Sequence, residues 1–199
     1  MPPRAFLFDI GNVLVHFDFT PAIQRFASLS TAGESQIKQL ISPFKDELES
    51  GNISDEDFIA QSIERIGFRG TPEEFTAIWG DIFTENNPMI TLVKKLAEKH
   101  PLYLLSNTSG LHKAWLFEHF DIFRLFEGGI YSHEAQCMKP HEPIYRQVLE
   151  KYQLDPAATF YIDDLFDNIV TGQRLGLVCH HYSPDQHDAL EDAVQKWLE

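Results

Sequence analysis

Four short apolar runs in the sequence lead into side chains that can do chemistry. AFLF ends in Asp9, and LYLL leads into Ser106, Asn107 and Thr108. A third run, around Ile130, is followed after a loop by Lys139-Pro140, and FYI ends in Asp163-Asp164 with Asn168 beyond. Together they offer a carboxylate nucleophile, hydroxyl and amide donors for anionic oxygens, a cation, and an acid pair suited to a hard metal ion. Each also has an ordinary reading. Asp9 can cap a turn, Ser106-Asn107 is common turn chemistry, Asp163-Asp164 favours a helix start, and a lysine is usually a solvated surface charge. Their placement on successive run ends singles them out.

Such groups meet only if the runs are neighbouring strands that point the same way. The runs at 5–8, 102–105, 129–131, 160–162 and 177–179 are mostly continuous rather than alternating, as in strands buried on both faces of a parallel sheet. Helix patterns at 109–119, 142–152, 167–175 and 185–198 follow the later runs, with Gly176 as a stop signal. Strand alternating with helix predicts an α/β fold, a doubly wound parallel sheet of Rossmann-like type, whose ligands gather at the carboxyl ends of the strands. Between about residue 17 and residue 87 the rhythm breaks. No strand is predicted there, and helix starts appear at Thr20-Pro21, at Ser54 with Asp57, and at Thr71-Pro72 with Glu74, before Asn87-Pro88. The expected organisation is a catalytic core of residues 1–16 and 88–199 with an inserted helical subdomain at 17–87.

Composition narrows the function classes. The chain has 199 residues, 43% hydrophobic and with 16 Phe, enough for a sizeable core. A formal charge of −14 predicts no nucleic-acid partner, because the phosphate backbone would be repelled. Cys137 and Cys179 predict neither a disulfide framework nor a Cys-based zinc site. Cys179-His180-His181 and His187 lack paired ligand spacing and read as structural or solvated. No signal peptide or membrane-spanning run is apparent, so the expectation is a reduced, cytoplasmic protein, monomeric or homodimeric, with no membrane partner.

The motif residues resemble those of the haloacid dehalogenase-like hydrolase superfamily. FLFDIGNVLV is similar to its first motif, YLLSNTS to its second, MKP to its third, and FYIDDLFDN to its fourth in the double-Asp form. The helical insertion sits where the family places its helical cap. The Asp-x-Gly-Asn-Val form resembles a branch that includes sugar-phosphate phosphatases of the glucose-1-phosphate type. The resemblance implies Mg²⁺-dependent hydrolysis of small phosphorylated metabolites, sugar phosphates foremost, through an aspartyl-phosphate on Asp9. It also implies that Ser106, Asn107 and Lys139 hold the phosphoryl oxygens, Lys139 shielding Asp9 as well. The metal would be held by Asp9, the Gly11 carbonyl and Asp164, with Asp163 in support.

Position 11 departs from the family pattern. Most relatives carry a second Asp there as general acid and base, assistance that is typically worth about 10²–10⁴ in rate. Gly11 implies a leaving group that departs easily, unless His16 or Asp18 supplies the proton. Two other functions stay open. One is a haloacid dehalogenase, which shares the nucleophile but needs no metal and lacks the acid pair. The other is a weak or non-catalytic relative that binds without turnover.

Overall fold

A computed structural model of the chain describes residues 3–199. Strand β1 (Ala5–Phe8) runs through a turn into β2 (Val15–Phe17). Four helices follow, α1 (Thr20–Ser28), α2 (Glu34–Glu49), α3 (Asp55–Ile66) and α4 (Pro72–Gly80), and then β3 (Phe83–Glu85). From there the order is α5 (Asn87–Ala97), β4 (Leu102–Ser106), α6 (Gly110–His119), β5 (Gly128–Tyr131), α7 (Ser132–Ala135) and α8 (Glu142–Lys151). The chain closes with β6 (Thr159–Asp163), α9 (Phe166–Arg174), β7 (Val178–His181) and α10 (His187–Leu198).

The five longer runs form one sheet in the order β5-β4-β1-β6-β7, parallel at every pairing. Its carboxyl ends therefore share one edge. The chain steps outward from β1 through β4 to β5 and then returns to β6 on the other side. That reversal opens a crevice above β1, where an open α/β sheet binds ligands.

Side-chain alternation explains why the runs are apolar throughout. Phe6, Phe8, Leu102, Leu104, Phe160 and Ile162 face one layer, closed by Ile90 and Val93 of α5 and Leu190 and Val194 of α10. Ala5, Leu7, Tyr103, Leu105 and Tyr161 face the other, closed by Ile144 and Val148 of α8 and Ile169 of α9. Helices on both faces leave no polar side for the sheet.

The helical region has its own core, in which Phe75 packs against Phe26, Phe58 and Phe68 with ring centroids 4.7–6.1 Å apart. Full burial of each such ring contributes roughly 1.5–3 kcal/mol. Thr71 and Glu74 form a reciprocal capping box on α4, whereas Ser54 caps α3 in one direction only, accepting from the Asp57 amide. Two features differ from the sequence expectation. The stretch held to lack strands contains β3, which pairs antiparallel with β2 and forms the stem between helical region and sheet. Helix α2 has no side-chain N-cap, only Gly33, and contains Pro43, which removes an interior hydrogen bond. Both facts hide a 16-residue helix from local signals. Among the described residues no helix is long and apolar enough to cross a membrane.

Candidate active site

Asp9 follows the last residue of β1, and its amide still bonds the Ile162 carbonyl of β6 at 2.9 Å. The ladder thus fixes the residue at the crevice floor. One carboxylate oxygen, Oδ1, accepts from the Ile10 amide at 2.7 Å and sits 2.9 Å from Lys139 Nζ. Oδ2 has no protein partner among the described residues and remains for a ligand. The turn that follows is held by Leu14 and Val15 amides donating to the Ile10 carbonyl, at 2.9 and 3.1 Å. Asn12 adopts φ 54°, a left-handed conformation that Asn tolerates better than most side chains. Its Nδ2 donates to Asp164 Oδ2 at 3.0 Å, so the first turn orients an acid from the end of β6.

Lys139 lies in the loop between α7 and α8, and Asn107 clamps its backbone. The Lys139 amide donates to Asn107 Oδ1 at 2.8 Å, and Asn107 Nδ2 donates to the Lys139 carbonyl at 2.9 Å. The ammonium then meets three acceptors: Leu105 O at 2.8 Å, Asp163 Oδ2 at 2.6 Å and Asp9 Oδ1 at 2.9 Å. Three donors on three acceptors leave no N–H to spare. The side chain is only 1% exposed. Burial alone would lower its pKa, but the Asp9 and Asp163 carboxylates outweigh that and hold it above the ordinary lysine value. Within the protein the bonds of Asn107 and Lys139 run to each other and to the acids. Asn107 positions Lys139, and Lys139 holds Asp9. Ser106, at the end of β4, presents a hydroxyl with no side-chain hydrogen bond at the same cavity.

The acid pair divides its labour. Asp163 is fully buried, and four donors converge on its two oxygens. Lys139 and Tyr161 bond Oδ2, at 2.6 and 2.5 Å, while the Leu165 amide and Asn168 Nδ2 bond Oδ1, at 2.8 and 2.9 Å. Asp164 has one side-chain partner, Asn12, and keeps Oδ1 open. Burial lifts the Asp9 carboxyl above the usual range, against the pull of Lys139, and burial lifts that of Asp164 too. Carboxylate oxygens of Asp9, Asp163 and Asp164 lie within 4.8 Å of one another. With Asp163 saturated, the open donors are Asp9 Oδ2, Asp164 Oδ1 and the Gly11 carbonyl, which the turn's backbone bonds leave unused. Hard, partly anionic oxygens of this kind fit a small divalent cation.

These groups line a cavity of about 210 Å³ roofed by the helical region. Its walls are largely apolar, with Phe17 and Phe83 from the β2–β3 stem, and Phe19, Ile82, Leu116 and Leu165 around them. A Cβ on Gly11 would meet the Phe17 ring at 3.2 Å, so Phe17 covers the space where an acid at position 11 would begin. Neither His16 nor Asp18 lines this cavity. Strand alternation turns His16 away when Phe17 faces in, and Asp18 instead accepts from the Thr20 amide at 2.8 Å. Lys45 and Glu49 of α2 reach the wall as an ion pair at 3.2 Å. His112 of α6 stacks on Trp79 at 5.3 Å and donates from Nε2 to the Trp79 carbonyl. Burial pushes it down to about 4, so it stays neutral at pH 7. Asn12, Phe17, Lys45, Glu49 and His112 escape a sequence reading. Only Asn12, beside Gly11 in a turn, carried a usable local signal.

A five-stranded parallel sheet with an acid-bearing crevice and a helical insertion defines a hydrolase of known type: the chain belongs to the haloacid dehalogenase-like hydrolase family, whose model matches residues 3–176. It is 27% identical over 185 residues to a D-ribitol-5-phosphate phosphatase of Bacteroides thetaiotaomicron, covering 85% of this chain and 87% of that one. It is 26% identical to a sesquiterpene phosphatase of Aspergillus oryzae, covering 94% of each. The fold matches a family enzyme of B. thetaiotaomicron solved with magnesium and inorganic phosphate. There the TM-score is 0.78 at 26% identity, over 92% of this chain and 96% of the other.

Proposed function

We propose that the protein is a Mg²⁺-dependent phosphatase of small phosphorylated metabolites that works through a phosphorylated Asp9. One observation carries the reading. Asp9 is held by Lys139 through one oxygen and offers the other to a cavity shared with the Ser106 hydroxyl and the open oxygen of Asp164. The phosphatase relatives and the magnesium–phosphate complex support it.

The Asp9 carboxylate attacks phosphorus through one of its oxygens, and the P–O bond to the alcohol breaks. The departing oxygen keeps the electron pair and takes its proton from water, since Gly11 offers none. Water then attacks phosphorus, the bond to Asp9 breaks, and inorganic phosphate leaves with the carboxylate restored. Lys139 keeps Asp9 aimed and offsets its charge, and the Ser106 hydroxyl donates to a phosphoryl oxygen. Held by Asp9, the Gly11 carbonyl and Asp164, Mg²⁺ offsets the repulsion between carboxylate and phosphate. The helical region inserted at residues 17–87 acts as the cap, and the β2–β3 pairing at its two ends supports that reading.

Of the alternatives, a dehalogenase has no use for the open oxygen of Asp164, and a decayed site would not keep every bond around Lys139. One relative is named for a polyol phosphate and the other for a sesquiterpene, so the phosphate ester is the common element and the alcohol is not. The test is phosphate release from p-nitrophenyl phosphate with Mg²⁺, with excess chelator, and in Asp9→Asn. Activity is expected only in the first. A folded Asp9→Asn variant that keeps more than a few per cent of activity overturns the covalent mechanism, and chloride release from 2-chloropropionate without metal would install the dehalogenase reading.

A further inference from the structure

The catalytic cavity does not end at its own walls. A second and larger cavity, of about 310 Å³, lies between α1 and α2 and shares Phe19 and Lys45 with the first. Ala22, Ile23, Phe26, Ile37, Ile41 and Trp79 form its lining. Ala22, Phe26, Ile37, Ile41 and Trp79 of this lining also belong to the hydrophobic core of the helical region. The polar residues that also line it, Asp18 and Thr20 at the start of α1 and Lys38 and Ser42 of α2, are all exposed to solvent.

We infer that this chamber receives the apolar part of the alcohol whose phosphate is bound at Asp9, so that the substrates are phosphate monoesters of elongated apolar alcohols. The inference rests on the phosphatase reading above and deepens it. Continuity is the first argument. Phe19 and Lys45 line both cavities, so a chain leaving the phosphoryl group at Asp9 reaches the chamber along the Phe19 ring and the methylene stem of Lys45. Chemistry is the second. A polyol would leave its hydroxyls facing Phe17, Phe19, Ile82 and Leu116, with the Lys45–Glu49 pair as the main polar side chains that the helical region offers. Unmet hydroxyls against apolar walls are disfavoured, while methylenes gain from the same walls.

The experiment uses the whole protein with Mg²⁺ and two homologous series, n-alkyl phosphates from ethyl to decyl for turnover and n-alkylphosphonates of the same lengths for calorimetric binding. The phosphonates cannot be hydrolysed and report binding alone. In the wild type, affinity and kcat/KM are expected to rise about threefold to fourfold per added methylene until the chamber is full, the factor that corresponds to transfer of one CH₂. Ile23→Trp, which fills the chamber from a half-buried position on α1, should shorten the chain length at which the rise stops, and Ala22→Leu should shorten it less. A flat series in the wild type, with the ethyl and p-nitrophenyl esters still hydrolysed, overturns the chamber and leaves the phosphatase standing. If no ester is hydrolysed and no phosphonate binds, the phosphatase reading itself falls. A rise that persists unchanged in a folded Ile23→Trp variant places the tail elsewhere and refutes this assignment.

Discussion

Asp163 and Asp164 are adjacent acids, and the structure predicts that replacing each by Asn gives opposite phenotypes. Asp163 accepts four hydrogen bonds, two on each oxygen, in a fully buried site. An amide has one oxygen. If that oxygen stays with Lys139 and Tyr161, the new NH₂ faces the Leu165 amide and Asn168 Nδ2, donor against donor. Asn168 can turn its own amide over and relieve one clash, but the Leu165 N–H cannot turn. One buried donor left unpaired costs about 1–3 kcal/mol, and Lys139 also loses a charge partner, so about 2–4 kcal/mol in all is expected for Asp163→Asn. Asp164→Asn keeps an oxygen for Asn12 and faces the open cavity, so its stability should stay within about 0.5 kcal/mol of wild type, the usual range away from buried features. The metal order reverses. Asp164→Asn removes a charged oxygen ligand and should weaken Mg²⁺ binding strongly, whereas Asp163→Asn acts on the metal only through Lys139. Urea unfolding without metal reads the first quantity, and calorimetric Mg²⁺ titration reads the second. Equal destabilisation by the two substitutions, or Mg²⁺ affinity unchanged in Asp164→Asn, would refute the division of roles.

The remaining predictions use other contacts. Asn12→Ala should lower Mg²⁺ affinity about 10–100-fold, the usual effect of losing a group that orients a ligand, with little change in unfolding midpoint. His112 is neutral in the fold, held down to about 4 against about 6.5 when unfolded, so the unfolded chain binds the extra proton between those values. Its contribution is intact above pH 6.5 and is lost as pH falls toward 4, about 3 kcal/mol over that window; His112→Phe should flatten that part of the pH–stability curve, and an unchanged slope in urea unfolding would count against it. The wild-type rate should depend steeply on leaving-group pKa across a series of aryl and alkyl phosphates, because no acid stands at position 11. A flat dependence with chemistry rate-limiting would point to Glu49, the carboxyl of the helical region that lines the cavity and that burial holds above the usual range.

Legibility followed locality. Strands buried on both faces are apolar throughout, so β1, β4 and β6 stood out as runs, and their polar ends marked Asp9, Ser106 and Asp163-Asp164 without any tertiary information. The β2–β3 stem did not stand out, because strands of three residues are too short to show an alternation. Helix α2 was hidden by its glycine cap and internal proline, and with it went Lys45, Glu49 and one wall of the chamber. The roles of Asn107 and Asp163 lay further out of reach. Both depend on which donors reach them from 24 to 32 positions away, through Lys139, and a motif shows residue types rather than their partners.

Gly11 is best understood together with Phe17. A missing acid taken alone suggests a weakened enzyme, since nothing replaces its proton. Yet φ at Gly11 is not left-handed, so the backbone would accept a side chain there, and what a Cβ meets is an aromatic ring 3.2 Å away. That ring is 42% exposed and borders the cavity on the β2–β3 stem. The wall at this position is therefore an aromatic ring rather than a proton-donating acid. For a sugar leaving group this would be loss without return. For an apolar alcohol, Phe17 supplies contact area beside the scissile bond, and removal of water strengthens every charge interaction around Asp9. Gly11→Asp and Phe17→Ala should then differ. The first introduces an acid at the cost of displacing the ring, and the second opens the site to water while restoring no proton donor. Paired with short and long alkyl esters, the two variants separate the chemical role of position 11 from the binding role of the ring that covers it.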